Sequence, residues 1–105
     1  MNRRILVYED ATLDIQEHFD YLAQNNRDRA FEFFDAARKT FAALARMPGM
    51  GNLYESEEED LVNIRKWAVQ GFKKYLIFYR YDDDIVEILR IIHASRDFAP
   101  LLKDL

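Results

Sequence analysis

The chain has 105 residues, half of them hydrophobic and 14% aromatic, with only 3 Gly and 2 Pro. That is the make-up of one ordinary folded domain, and it excludes intrinsic disorder, collagen-like repeats and low-complexity architecture. There is no Cys, which removes disulfide frameworks, thiolate zinc sites and cysteine nucleophiles, and the net charge is −4.

The charge is segregated along the chain. Residues 1–60 carry 7 Lys/Arg against 13 Asp/Glu, whereas residues 61–105 carry 8 against 6. Within Leu61–Tyr81 stand Arg65, Lys66, Lys73, Lys74 and Arg80, with no acid among them. Such a stretch reads either as a local positive surface suited to an acidic partner or as solvated edge and turn residues. The apolar run after Arg3-Arg4 ends after four residues, too short for a secretory signal, and no run approaches the roughly 20 residues of a membrane span. A cytoplasmic protein with no membrane role is expected.

Ile5–Tyr8 is a short β-rich run and reads as a first strand, ended by Glu9-Asp10. From Ala11 to about Asn25, Ala11, Ile15, Phe19 and Leu22 recur at helical spacing, with Asp14, Glu17 and Asp20 between them. Asp10 or Thr12 can cap this helix, and Asn25-Asn26 can stop it. Asp28 can cap a second helix running to Arg46, with an inward stripe of Ala30, Phe33, Phe34, Ala37, Phe41, Leu44 and Ala45. Met47-Pro48-Gly49 ends it, because proline cannot continue the hydrogen-bond ladder. The short joint makes the two helices an antiparallel hairpin.

Gly49–Asp60, including the acidic run Glu57–Asp60, reads as a loop. Three strand-like runs follow, at Leu61–Val69, Tyr75–Tyr81 and Ile85–His93, joined around Gly71 and by Asp82-Asp83-Asp84. Connections this short join antiparallel neighbours, so these runs form a meander. Leu76, Phe78 and Arg80 should share one face, and Tyr75, Ile77, Tyr79 and Tyr81 the other. The expected fold is therefore α+β: an N-terminal strand, an antiparallel helical hairpin, and a three-stranded antiparallel meander in one small sheet, over a single domain spanning residues 1–105. A short tail, Phe98–Leu105, closes the chain.

Chemistry-bearing groups are few. His93-Ala94-Ser95-Arg96-Asp97 suggests a general base with an anion-stabilising Arg, against the plainer reading of a structural or solvated His at a strand end. Ser95 beside His93 and Asp97 is not a triad, since such roles are set by spatial geometry. Arg90, His93 and Arg96 recur every third residue, so they converge only if the strand ends near His93. A turn at Arg96-Asp97 would then let Leu101 and Leu102 pack back on the domain, with Arg96 either paired to Asp97 to hold that turn or presented to a partner. His18 sits beside the inward face of the first helix. The Asp82–Asp84 run is a tight polar turn rather than a cation site, and neither a metal nor another cofactor is expected. Phe31 and Tyr21 exceed what one inward stripe can bury and are candidates for a partner surface.

Taken together, several of these stretches resemble the RelE/ParE superfamily of type II toxin–antitoxin toxins. They are Ala11 and Ile15 leading into Phe19-Asp20-Tyr21-Leu22, then Ala30, Phe34, Leu44 and Pro48-Gly49-Met50-Gly51, and Ile64-Arg65. The clearest are Tyr75-Leu76-Ile77-Phe78-Tyr79-Arg80 and the ending Arg90-Ile91-Ile92-His93 with Arg96-Asp97. That ending is similar to the ParE, or plasmid stabilisation, branch. The resemblance implies a toxin that inhibits DNA gyrase, neutralised by a cognate ParD-like antitoxin, without direct sequence-specific binding of nucleic acid. It allows a homodimer or a toxin–antitoxin hetero-oligomer. Two alternatives stay open: a RelE-like ribosome-dependent mRNA endoribonuclease using His93, Arg65 and Arg80, and a non-toxic antitoxin-binding relative. Candidate target- or antitoxin-binding residues are Arg65, Lys73, Lys74, Arg80, Arg90, Arg96, Phe31 and Tyr21.

Overall fold

The computed structural model describes residues 2–56 and 61–103. The chain runs through β1 (Arg4–Val7), α1 (Glu9–Ala23), α2 (Arg27–Arg46), a 3₁₀ turn at Pro48–Met50, β2 (Asn52–Leu53), β3 (Arg65–Val69), β4 (Phe72–Tyr81), β5 (Ile85–His93) and α3 (Phe98–Leu102). The α+β class, the helical hairpin and the β3–β4–β5 meander follow the sequence reading. The sheet has five strands, in the order β1-β5-β4-β3-β2. The extra member is β2, two residues inside the segment expected to be loop, paired antiparallel with Lys66 and Arg65. The acidic run Glu57–Asp60 and the last two residues of the tail lie outside the described residues.

Several boundaries move for local reasons. The first helix opens at Glu9, with Tyr8 rather than Asp10 or Thr12 in the capping position. Glu9 and Asp10 then sit in its first turn, where negative charge complements the helix dipole. The second helix is capped by Asn26, whose side chain accepts the Arg29 N–H at 3.1 Å, while Asp28 falls in the first turn. Leu61 and Ile64 precede β3 and are buried without being part of a strand.

The sheet is covered on both faces. On one, Phe33, Ala37, Phe41 and Leu44 of α2 and Ala11 of α1 pack on Tyr75, Ile77, Tyr79, Val86, Ile88 and Ile91. On the other, Leu61, Ile64 and Leu102 pack on Phe78, Leu89 and Ile92, with Tyr54, Phe98 and Leu101 at the margin. The alternation expected along β4 is therefore real, and the tail folds back through Leu101 and Leu102. Phe34, expected in the inward stripe, is instead 40% exposed.

Two irregularities mark the sheet. Between Phe78 and Tyr79 the register with β5 slips, so that Phe78 opposes Arg90 while Tyr79 opposes Ile88. This bulge turns Leu89 and Arg90 to the same face and re-aims the arginine. At the opposite margin, the Tyr79 hydroxyl donates to the Pro48 carbonyl at 2.6 Å and accepts the Gly51 N–H at 2.9 Å. A Cβ at Gly51 would strike that hydroxyl and stand 2.8 Å from the Lys66 carbonyl, so the close approach requires glycine.

Candidate functional site

β1 pairs in parallel with only the first half of β5, from Ile85 to Ile88. Past that point, where Tyr8 N–H donates to the Ile88 carbonyl at 2.9 Å, side chains of α1 replace the missing strand. Asp14 accepts the Ile91 N–H at 2.9 Å, and His18 Nε2 lies 2.7 Å from the Ile91 carbonyl. A carbonyl only accepts, so His18 carries its proton on Nε2. Asp14 is 7% exposed. Its two oxygens also take Arg90 Nε and Nη2 at 2.7 and 2.8 Å, and Arg90 Nη1 donates to the Leu101 carbonyl at 2.8 Å. The bond to Asp14 holds the Arg90 pKa above its ordinary value, against the opposing effect of burial. Arg90 thus binds α1, β5 and α3 together.

Beside this clamp lies a cleft of about 540 Å³, lined by Glu17, His18, Tyr21, Tyr75, His93, Ser95 and Arg96 among others. Its floor is an edge-to-face series in which the Tyr75 ring stands 4.9 Å from His18 and 5.0 Å from His93. Burial raises the Tyr75 pKa, with the neighbouring Tyr21 adding to it, so its hydroxyl is neutral. His93 Nδ1 accepts the Ser95 N–H at 3.1 Å and lies 2.8 Å from Ser95 Oγ. That bond leaves the ring proton on Nε2. Arg96 is exposed, and among the described residues its side chain makes no hydrogen bond or ion pair. The expected Arg96–Asp97 pair is absent; the turn is held by Arg96 N–H to the His93 carbonyl, at 3.0 Å.

On the other side of α1, a groove of about 970 Å³ runs between α1, α2 and β1, lined by Ile5, Val7, Ile15, Phe19, Phe31 and Phe34 with Arg38 and Lys39 at its rim. Phe31 is 53% exposed and meets Phe19 edge to face at 5.1 Å.

The structure thus gathers Tyr21, Arg90, His93 and Arg96 around one cleft and places Phe31 in the groove. It keeps the three nuclease candidates apart. His93 opposes Tyr75, and Arg80 stands five residues further along β4, about 17 Å away at the usual strand rise. Arg65 opposes Tyr79 and so faces away from Arg80. Arg80 is also occupied, donating to Glu87 at 2.6 Å and to the Tyr8 hydroxyl at 3.1 Å; the Glu87 bond raises its pKa. Arg65 donates to the Gly51 carbonyl at 2.7 Å, with its guanidinium 5.8 Å from the Tyr81 ring. Lys73 and Lys74 are exposed at the start of β4. Asp14, Glu87 and Tyr8, which organise these arginines, were not among the expected site residues. The spacing of Asp14 and His18, four apart on a helix, is the signal that could have found the first.

The α+β domain thus presents an apolar groove on one side of α1 and a polar cleft on the other. Comparison with known proteins sharpens this. The family described as "ParE toxin of type II toxin-antitoxin system, parDE" matches residues 5–98. The chain belongs to the ParE toxin family. Among solved structures, a chain from the chromosomal ParDE TA system of P. aeruginosa shares the fold, with a TM-score of 0.68 at 16% identity over 87% of this chain and 95% of that one. No curated protein matches the sequence. Among the described residues, no helix is long and apolar enough to cross a membrane.

Proposed function

We propose that this chain is a toxin that inhibits DNA gyrase by direct binding in the cytoplasm, and that a cognate ParD-like antitoxin neutralises it. The observation that carries the reading is the separation of His93, Arg80 and Arg65. A nuclease needs its base and its phosphate-stabilising cation within reach of one phosphodiester, and these side chains occupy opposite ends and faces of the sheet. Family membership and a structural neighbour from a ParDE system support a ParD-like partner.

The groove suits the antitoxin. Phe19, Phe31 and Phe34 offer an apolar bed for an amphipathic helix, and the outer edge of β1 offers backbone partners to an extended segment. Arg96 and Tyr21, with Lys73 and Lys74 at the near end of β4, form the target-facing surface, and Arg90 positions the tail that carries Arg96; Arg65 and Arg80 lie at the far end of the sheet, held by the Gly51 carbonyl and by Glu87 and Tyr8. Expression of the chain alone should give filamentous cells with an SOS response, and co-expression with the antitoxin should restore growth. Translational arrest with cut mRNA, preceding any filamentation, would overturn the gyrase reading.

A further inference from the structure

We propose that the cleft beside Arg90 seats a carboxylate side chain of a protein target, held between the Tyr75 hydroxyl and the Arg96 guanidinium. The assignment rests on the reading of that cleft as target-facing and names the group it receives. Tyr75 is 8% exposed, with its ring enclosed by those of His18, Phe33 and His93 at 4.9, 4.9 and 5.0 Å. Its hydroxyl nevertheless makes no hydrogen bond among the described residues. Every buried side-chain oxygen and nitrogen among those residues has a partner, so this hydroxyl is open, and its opening is the cleft. A phenol so enclosed ordinarily spends its O–H inside the protein, as Tyr79 does on the Pro48 carbonyl. Because burial raises the Tyr75 pKa, the group facing the cleft is a neutral O–H, able to donate.

The surrounding charges select a monoanion. Arg90 spends its charge on Asp14, and Glu17 adds a second carboxylate to the wall, so among the described residues Arg96 is the open guanidinium of the cleft. A carboxylate takes charge-assisted bonds from Arg96 and from the Tyr75 O–H. A phosphate dianion would meet Glu17 with one guanidinium to offset both of its charges. Lys73 and Lys74 are exposed, and the Lys74 carbonyl accepts the Ala94 N–H at 2.7 Å, which sets these lysines beside the turn that carries Arg96. They add a positive field at the mouth and steer an acidic side chain toward it. Tyr21, 63% exposed on the rim, offers an aromatic face to the chain on either side of that acid, as protein-contact surfaces do.

The test titrates propionate, the acid that ends a glutamate side chain, into the isolated chain and follows it by NMR. Propionamide is the uncharged control and inorganic phosphate the competing anion. Saturable shifts at Tyr75 and Arg96 are expected with propionate alone, roughly fivefold weaker in Tyr75→Phe and lost in Arg96→Ala. The melting temperature of Tyr75→Phe should not fall, since the hydroxyl has no partner to lose, whereas a purely structural tyrosine would show a loss. The same variant should inhibit gyrase roughly fivefold less than the wild type. No saturable shift, an equal response to propionamide, or tighter binding of phosphate would overturn the proposal. So would gyrase inhibition by Tyr75→Phe equal to the wild type, which leaves the gyrase reading standing. A wild-type chain that binds propionate but leaves gyrase active would sink the gyrase reading and keep the carboxylate seat.

Discussion

Asp14 and His18, one turn apart on α1, hold the N–H and the C=O of a single residue, Ile91, at 2.9 and 2.7 Å. Two side chains thereby do for the second half of β5 what β1 does for the first half. Because Asp14 also carries Arg90, this is the junction on which the C-terminal tail depends.

Removing one partner of a buried ion pair leaves the other uncompensated. Asp14→Ala should therefore cost about 3 kcal/mol, since Arg90 keeps its charge in a site only 18% exposed. His18→Ala, which forfeits one hydrogen bond and some ring packing, should cost about 1 kcal/mol. Denaturant unfolding of both variants measures the order, and equal losses would show that the Arg90 clamp is unimportant.

At the other end of the sheet, Tyr79→Phe leaves the Pro48 carbonyl and the Gly51 N–H without their partner and should cost about 1–3 kcal/mol. Gly51→Ala should be at least as damaging, because backbone at Lys66 and the fixed Tyr79 ring both block the methyl. Thermal melts of the two variants check this.

The pH dependence follows from the same tyrosine. Burial raises the Tyr79 and Tyr75 pKa values above the usual value of about 10. Their contribution to stability is full below that value and falls away as pH rises through the higher folded ones. Asp82 is the opposite case: the Asp84 and Ile85 N–H groups lower its pKa, so its contribution is lost as pH falls through the lowered value. Stability should decline at both extremes, and Tyr79→Phe should flatten the alkaline limb while leaving the acid limb unchanged.

The groove and the cleft should separate genetically. Phe31→Ser removes an exposed ring and should change stability by less than about 1 kcal/mol. Growth inhibition should persist while rescue by antitoxin is lost. Arg96→Ala should do the reverse at unchanged melting temperature, and His93→Ala should leave toxicity intact. Growth assays with and without antitoxin read all three.

The helical hairpin and the meander were legible because their apolar residues repeat at 3.6 and at 2. The burial of Asp14 was not, since a carboxylate between Ala11 and Ile15 looks like the polar margin of an amphipathic helix until Arg90 arrives from 76 residues away. Nor was the place of β1, whose parallel pairing with β5 is set by the whole chain between them. β2 is two residues long and carries no periodicity. Ile88, Leu89, Ile91 and Ile92 flank Arg90 without a clean alternation because the bulge and two covered faces consume both sides of β5. His93, prominent in sequence, stands edge-on to Tyr75 and bonds Ser95 in the turn, whereas Arg96 keeps an open guanidinium.

The most direct test of the account is gyrase activity in vitro. Purified chain is titrated into DNA gyrase with relaxed plasmid and ATP, beside Arg96→Ala and His93→Ala. The account predicts loss of supercoiling with the wild type and with His93→Ala, and roughly tenfold weaker inhibition with Arg96→Ala. Full supercoiling in excess wild-type chain, with mRNA cut on ribosomes in a parallel reaction and spared by His93→Ala, would contradict it.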